Sequence, residues 1–444
     1  MNCNTFWRLG TAFPLALSCI GLTDCGGKTT TTVSTPFTAI AVKRYVAADG
    51  TLDAGFSGGA VATKIDPSQF EYALAVALQT DGKIIAAGHS VLAGQGVIAL
   101  VRYNTDGSLD TAFGNSGIVR TAVGSDSAEA VAVAVQTDGK IVVAGTILAT
   151  NLSGKGIAVL RYNGNGTLDT TFGAPQTGIV TATIGTGSDT VAAALALYPP
   201  PDGRIVVAGH AVTGTQTNIV LLRYNPNGTL DSTFGSSGLV TTDMSADAVA
   251  LAIALQPADG KIVAAGSVQN SSMDAVLLRY NTVGTLDSTF GVNANGIVIT
   301  DIGSGNNFAN AIALQVDGKI VVAGHANVNF SLDTSDVALL RYNPDGMLDP
   351  GFGTGGIVVT NLGGFDNAFS VALQPDNKIV VSGNTGSAGS VTRVAVVRYD
   401  AGGTLDPAFG TGGIVITSAA GPSTIASGNA VLIHPDGIVV AGYD

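Results

Sequence analysis

After residue 37 the chain alternates between short apolar runs and turn-forming clusters, and two such patterns take turns to its end. The first is an Ala/Val-rich run, an Asp-Gly turn and a segment of the type Lys-Ile-Val-Val-Ala-Gly. It closes at Gly88, Gly145, Gly209, Gly266, Gly324, Gly383 and Gly442. The second reads Arg-Tyr-Asn-x-x-Gly-x-Leu-Asp-x-x-Phe-Gly, followed by Gly-Ile-Val. Its arginine falls at Arg44, Arg102, Arg161, Arg223, Arg279, Arg341 and Arg398, each followed by tyrosine. Its aspartate falls at Asp53, Asp110, Asp169, Asp231, Asp287, Asp349 and Asp406, and its aromatic at Phe56, Phe113, Phe172, Phe234, Phe290, Phe352 and Phe409. Seven copies of each half make a repeat of roughly 60 residues, the mark of a repeat architecture.

Each repeat predicts four short strands. In the second copy they cover residues 130–136, 140–145, 157–162 and 178–183, and Gln136-Thr137-Asp138-Gly139 is a hairpin signal. The apolar runs are continuous rather than alternating, so both faces of each small sheet need burial. Stacked propeller blades provide that. A membrane barrel would show longer strands, alternating polarity and aromatic girdles. The phase of the repeats adds closure: the repeated region opens on a second half, residues 39–45, and finishes on a first half, residues 429–443. An open solenoid would need polar capping repeats, whereas a ring joins the two halves and removes exposed sheet edges. The expected fold is all-β: a closed seven-bladed β-propeller of four-stranded blades. Its two-plus-two strand closure pairs residues 39–64 into the blade that holds residues 429–443.

With these motifs in view, the chain resembles the delta-60 repeat family of bacterial β-propeller proteins, which carry Gly-x-Leu-Asp-x-x-Phe-Gly together with Asp-Gly-Lys-Ile-Val-Val-Ala-Gly. The resemblance covers residues 37–444. It departs at Ser57, in place of the glycine after Phe56, and at Asn377, in place of a turn glycine. It implies a propeller and export, and no particular activity.

Composition narrows the class. An apolar fraction of 46% with only 12% charged residues excludes a disordered chain. Net charge is −12 and the acids are nearly all aspartate, Glu71 and Glu129 being the two glutamates. Aspartate favours turns and glutamate favours helices, so this imbalance supports the strand-and-turn reading. Without a cluster of Lys and Arg, the chain is not expected to bind nucleic acid.

The first 36 residues read as an export leader. Arg8 precedes an apolar stretch, residues 9–22, of signal-peptide length. Cys25-Gly26-Gly27 and a Thr-rich tether, residues 26–36, follow. This resembles a bacterial lipoprotein leader, with Cys25 as the lipidation site and Cys19 as the alternative. Asp24 stands before Cys25, where that family has a small neutral residue. A plain secretory signal cut near residues 18–30 is the other reading. Gly27-Lys28-Thr29 imitates the end of a phosphate loop, but Leu22 occupies the position of its first glycine. All three cysteines, Cys3, Cys19 and Cys25, fall in this leader, which leaves the repeats without disulfides or thiolate metal sites.

Residues present at seven equivalent positions are expected to hold blades together. Each repeated arginine is expected to pair with a nearby Leu-Asp carboxylate: Arg102 and Asp110, Arg161 and Asp169, Arg223 and Asp231, Arg279 and Asp287, Arg341 and Asp349, Arg398 and Asp406. The rival, a ring of Ca²⁺ sites, needs six to eight oxygens per ion, yet the position of Asp106 is filled by Asn165, Asn227 and Val283 in other copies.

Function is sought where the symmetry breaks. The first strand of a propeller blade is innermost, and here it is Ala-rich. The second-to-third and fourth-to-first connections then share one face, and these are the variable ones: residues 90–96, 146–156, 326–335 and 419–428 are examples. Loops on a rigid scaffold are where binding concentrates. Candidate binding-face residues are Tyr72, His89, His210, Phe308, His325, Phe330 and Phe365. His89, His210 and His325 follow Ala-Gly in alternate blades, too far apart for one metal ion, and are expected to be surface or turn-packing residues. Glu71 and Glu129 read as isolated acids near this face. No catalytic motif is visible and no cofactor or metal is expected. The expectation is a monomeric, exported, non-catalytic binding or scaffold propeller of the cell envelope, recognising a protein or glycan and touching a membrane only through an N-terminal lipid. The alternative is an enzyme acting on a polysaccharide or small molecule near the central channel.

Overall fold

Among the residues that the computed structural model describes, namely 38–148, 155–185, 189–303, 305–327, 334–386, 392–419 and 425–444, the strands form seven four-stranded antiparallel sheets. The leader and tether expected at 1–25 and 26–36, with Cys19 and Cys25, lie outside these residues, as does Phe330. Blade 1 occupies residues 72–121, blade 2 127–182, blade 3 190–242, blade 4 248–300, blade 5 307–360 and blade 6 365–417. Blade 7 takes its first two strands from Ser427–His434 and Gly437–Tyr443, and its last two from Ile40–Tyr45 and Ala60–Thr63. The two-plus-two closure is thus present, with Ile40 opposite Tyr443 and Tyr45 opposite Ile438.

The continuous apolar runs have a direct physical use. On the third strand of blade 1, Ile98 and Leu100 pack against blade 2, while Ala99 and Val101 pack against blade 7. Every blade is a filling between two others, so both faces of its sheet need apolar side chains. Burying each Ile or Leu in this way stabilises the ring by about 2 kcal/mol. Seven such clusters occur, one at each blade-to-blade interface.

The strands nearest the variable face run further than the apolar pattern predicts. In blade 2 the first two are Ser127–Val135 and Ile141–Leu148, because backbone pairing continues past Ala130 and Gly145 to Ser127 and Leu148. Ladder bonds need no apolar side chain, so hydropathy understates these ends. The expected loop at 90–96 is accordingly a hairpin, with Leu92 paired to Gln95 across Ala93 and Gly94. Both turn residues have positive φ, 53° and 82°, as a tight two-residue turn requires.

A β-bulge interrupts the first strand of every blade, beside the glycine that ends Lys-Ile-Val-Val-Ala-Gly. It brings a carbonyl into the space a side chain would need: a Cβ on Gly324 would stand 1.7 Å from the Phe308 oxygen. That close approach is the reason for glycine at this position.

Blade 7 has its own lock. Lys43 stands where the other third strands carry Val or Leu before the arginine. Its buried ammonium group lies 2.5 Å from the carboxylate of the C-terminal residue Asp444. The ion pair ties the two ends of the ring to each other.

Candidate functional site

Each blade exposes two ends. One carries the Asp-Gly turns and the Leu-Asp-x-x-Phe-Gly segments, and its repeated side chains are consumed by one another. Nε of Arg44, Arg102, Arg161, Arg223, Arg279 and Arg341 donates to the Leu-Asp carboxylate eight or nine residues on, at 2.6–2.8 Å. Arg398 stands 2.9 Å from Asp406, at ion-pair distance but without hydrogen-bond alignment at Nε. A second cation from the Asp-Gly turn meets the same carboxylate at 2.9–3.3 Å: Lys83, Lys140, Arg204, Lys261, Lys319 and Lys378. All seven guanidinium groups also lie over the repeated Phe ring, 4.3–5.0 Å from its centroid. Burial alone would raise the carboxyls of Asp169, Asp231 and Asp287. Bonds from threonine and the paired cations outweigh it and hold all three well below the usual range.

The same arginines join neighbouring blades. The Arg102 Nη1 donates to the Gly164 carbonyl at 2.5 Å, and those of Arg161 and Arg279 donate to Pro226 and Pro344. Arg398 closes the circle on the Ala47 carbonyl of blade 7. The glycine after Phe adds a backbone bond to the next blade, as from Gly114 N to Asn165 O at 2.9 Å. Ser57, which replaces that glycine, makes the link with its hydroxyl to Asp106 O, at 3.0 Å.

Inside the interfaces, the tyrosine of Arg-Tyr bonds to a threonine ending the fourth strand of the preceding blade, at 2.7–3.1 Å in six cases. The seventh, Tyr224, faces Ala182, and its buried hydroxyl has no partner. Sequence reading passed over this pairing, although the repeated threonine with its single alanine exception is visible in the chain.

The opposite end follows another rule. Next to the repeated Ala–Gly cross-strand pair (Gly–Gly in blade 7) lies a pair that differs in every blade. It is Tyr72–His89, Glu129–Thr146, Val191–His210, Val249–Ser267, Phe308–His325, Asn367–Asn384 and Ser427–Tyr443 in blades 1 to 7. First strands of neighbouring blades meet around the centre, so these pairs ring the inner edge at the variable-face end.

Two expectations need correction here. The histidines are not turn residues: all three sit within second strands, where His210 is buried while His89 and His325 stay half-buried at the rim. His89 stacks on Tyr72 with centroids 5.2 Å apart, and His325 on Phe308 at 4.7 Å. His210 is only 4% exposed. Burial pulls His210 and His325 down to about 4, the Lys155 charge adding to the effect at His210, and burial lowers His89 as well. Nor are the glutamates isolated. The fully buried Glu71 accepts bonds from Ile65 N, Asp66 N and Ser90 Oγ, so it organises a turn. Glu129 accepts a hydrogen bond from the Tyr72 hydroxyl across the blade 1–2 boundary at 2.7 Å. Burial pushes the Glu129 carboxyl up, offset in part by Tyr72 and by the charge of Lys155. Pairing across blades is invisible in a sequence that separates Tyr72 from Glu129 by a whole repeat.

Asparagines at the bulge also bridge blades here: Asn310 donates to Ala368 O and Asn429 to Ala73 O, both at 2.8 Å. Phe365 begins the first strand of blade 6 and forms an isolated parallel bridge with Ser335 of blade 5. Among the described residues, no group of three or more His, Cys, Asp or Glu is arranged to hold a metal ion.

Comparison with known proteins agrees with the repeat. The family described as "Domain of unknown function (DUF5122) beta-propeller" matches at residues 79–113, 136–172, 201–234, 258–290, 315–352 and 374–409. This chain is a β-propeller repeat protein. The six matches fall one in each uninterrupted blade; the seventh blade is the one divided between the chain ends. No curated protein matches the propeller. Similar solved structures include the polysaccharide lyase Uly1 (10% identity, 92% of this chain and 99% of that one, TM-score 0.47). Sqt1 from Chaetomium thermophilum is another (11%, 84% and 94%, TM-score 0.44). So is the periplasmic gluconolactonase PpgL of Pseudomonas aeruginosa (13%, 86% and 99%, TM-score 0.43). Likenesses this distant carry nothing about activity.

Proposed function

We propose that this propeller is a non-catalytic recognition module of the cell envelope that binds a protein or glycan through its variable face. One observation carries the reading: seven cross-strand pairs of differing chemistry ring the inner edge, each beside an almost invariant Ala–Gly pair. A scaffold that keeps its backbone constant while changing one pair per blade presents a chemically irregular rim on a rigid frame, which suits recognition. The finer readings belong with it. The repeat is of the delta-60 type, the chain is exported as a monomer, and Cys25, or else Cys19, carries a lipid. An enzyme near the channel is the second reading, and the Tyr72, His89 and Glu129 contact is the observation that favours it.

The test is a screen of the full chain against envelope proteins and glycans, repeated with Phe308→Ala and Asn367→Ala on the variable face and Met347→Ser on the turn-bearing face. Loss of binding of tenfold or more in the first two, with Met347→Ser unchanged, is the expected result. Binding lost only in Met347→Ser, or turnover of a glycan without stable binding, would overturn the reading.

A further inference from the structure

The two ends of the ring match their charges differently. Outside the leader, thirteen basic residues belong to the repeated Arg and Asp-Gly-Lys positions and are paired with aspartates of the turn-bearing face, and Lys43 is held by Asp444. Lys64, Arg120, Lys155 and Arg393 are the bases left to the variable face. Against them stand eleven described acids in its connections and strand ends. The variable face is therefore the more one-sidedly acidic end, and its field draws cations.

Within that end, Glu129 is mostly enclosed yet open on one side. Its Oε2 accepts the Tyr72 hydroxyl, and among the described residues no Lys, Arg or His nitrogen lies within 4.0 Å of the carboxylate. Lys155 acts on it only from beyond ion-pair distance. A carboxylate so enclosed without a cation is costly, and a cation arriving from outside relieves the cost. An aromatic pair stands beside it: Tyr72, whose hydroxyl it accepts, stacked on His89 with centroids 5.2 Å apart. Aromatic walls with one carboxylate suit an alkylammonium, whose methylenes pack on the rings while its charge meets the acid. Geometry selects further. With Oε2 taken by Tyr72, Oε1 is left as acceptor, which fits the point charge of an ammonium. A guanidinium fork needs both oxygens for its bidentate bond.

We propose that the variable face binds an extended basic chain, and that the corner of Tyr72, His89 and Glu129 receives one of its primary ammonium groups. The inference rests on the recognition reading above and names the chemistry of the ligand. A lysine-bearing peptide and a linear polyamine share this chemistry, so the test carries both.

The full chain is titrated with fluorescein-labelled heptalysine, with heptaarginine, and with spermine as competitor. The same titrations are run on Glu129→Gln, Tyr72→Phe and Asp243→Asn. Heptalysine is expected to bind more tightly than heptaarginine. Glu129→Gln should weaken heptalysine tenfold or more, while Asp243→Asn, which removes an equal charge from the same face, changes it less than twofold. In Tyr72→Phe the freed Oε2 should narrow the gap between lysine and arginine. Competition by spermine at a comparable concentration assigns the polyamine as source; its failure assigns the peptide. Equal weakening by Glu129→Gln and Asp243→Asn would overturn the corner and leave only diffuse attraction. Binding of neutral oligosaccharides that is lost in Phe308→Ala but kept in Glu129→Gln would overturn this inference while preserving the recognition reading.

Discussion

At the turn-bearing end of each blade, arginine, aspartate and phenylalanine recur seven times and are used up against one another; at the other end, one cross-strand pair changes in every blade. The same strands link the two ends, so fold alone does not account for the difference. What differs is the partner each side chain meets. Arg223, for example, spends its donors on Asp231, the Thr233 hydroxyl and the Thr282 carbonyl, all within the ring. Phe308, Asn367 and Tyr72 are half-buried at an edge open on one side. A position whose donors and acceptors are satisfied internally cannot be varied without leaving buried charge behind, and one facing outward can.

The largest expected effect tests this at the constant end. Asp231→Ala leaves the buried Arg223 and the adjacent Arg204 without their shared carboxylate, and should lower stability by about 4 kcal/mol in denaturant titrations. The same change at the exposed Asp243, whose side chain caps Ser245 N, should cost less than about 0.5 kcal/mol. Comparable losses at the two sites would erase the distinction between the ends.

The next effect belongs to the variable end and depends on pH. His210 and His325 are held neutral by burial, down to about 4, while an unfolded chain protonates them near 6.5. Above 6.5 neither state binds the proton and stability is flat. Between 6.5 and 4 the unfolded state takes up protons that the folded state refuses, so stability falls as pH falls, by up to about 3 kcal/mol for the buried His210. The depressed aspartates of the turn-bearing end respond only below the normal aspartate range, so the two ends separate by pH. Melting temperature followed from pH 7.5 to 4 should show this slope, and His210→Gln should flatten it; an unchanged slope would refute the assignment.

The smallest effect sharpens the comparison by repairing an exception. Ala182→Thr offers Tyr224 the hydroxyl partner that the other six tyrosines have, and should stabilise the ring by about 1 kcal/mol. Loss of stability would mean that the blade 2–3 interface has no room for the threonine methyl and hydroxyl.

Much of the architecture was legible from periodicity. The copies of Arg-Tyr and Leu-Asp announced the blades, and the split of one repeat between residues 39–64 and 429–443 announced the closure. Other features left only single-residue traces. Lys43 is a cation where the other third strands carry Val or Leu, and its meaning needed Asp444, four hundred residues away, beside it. The histidines looked like turn residues because they follow a glycine where hydropathy ends, whereas ladder pairing carries the second strand to and past them, and buries His210.

What the sequence by itself determined is whatever repeats, because a residue type recurring at a fixed period implies one local environment built seven times. The tertiary structure decided which non-repeating residues meet. Glu129 touches Tyr72, Asn429 reaches Ala73 and Tyr224 faces Ala182 because blade stacking sets those distances, and no local pattern encodes a neighbour one repeat or one whole ring away.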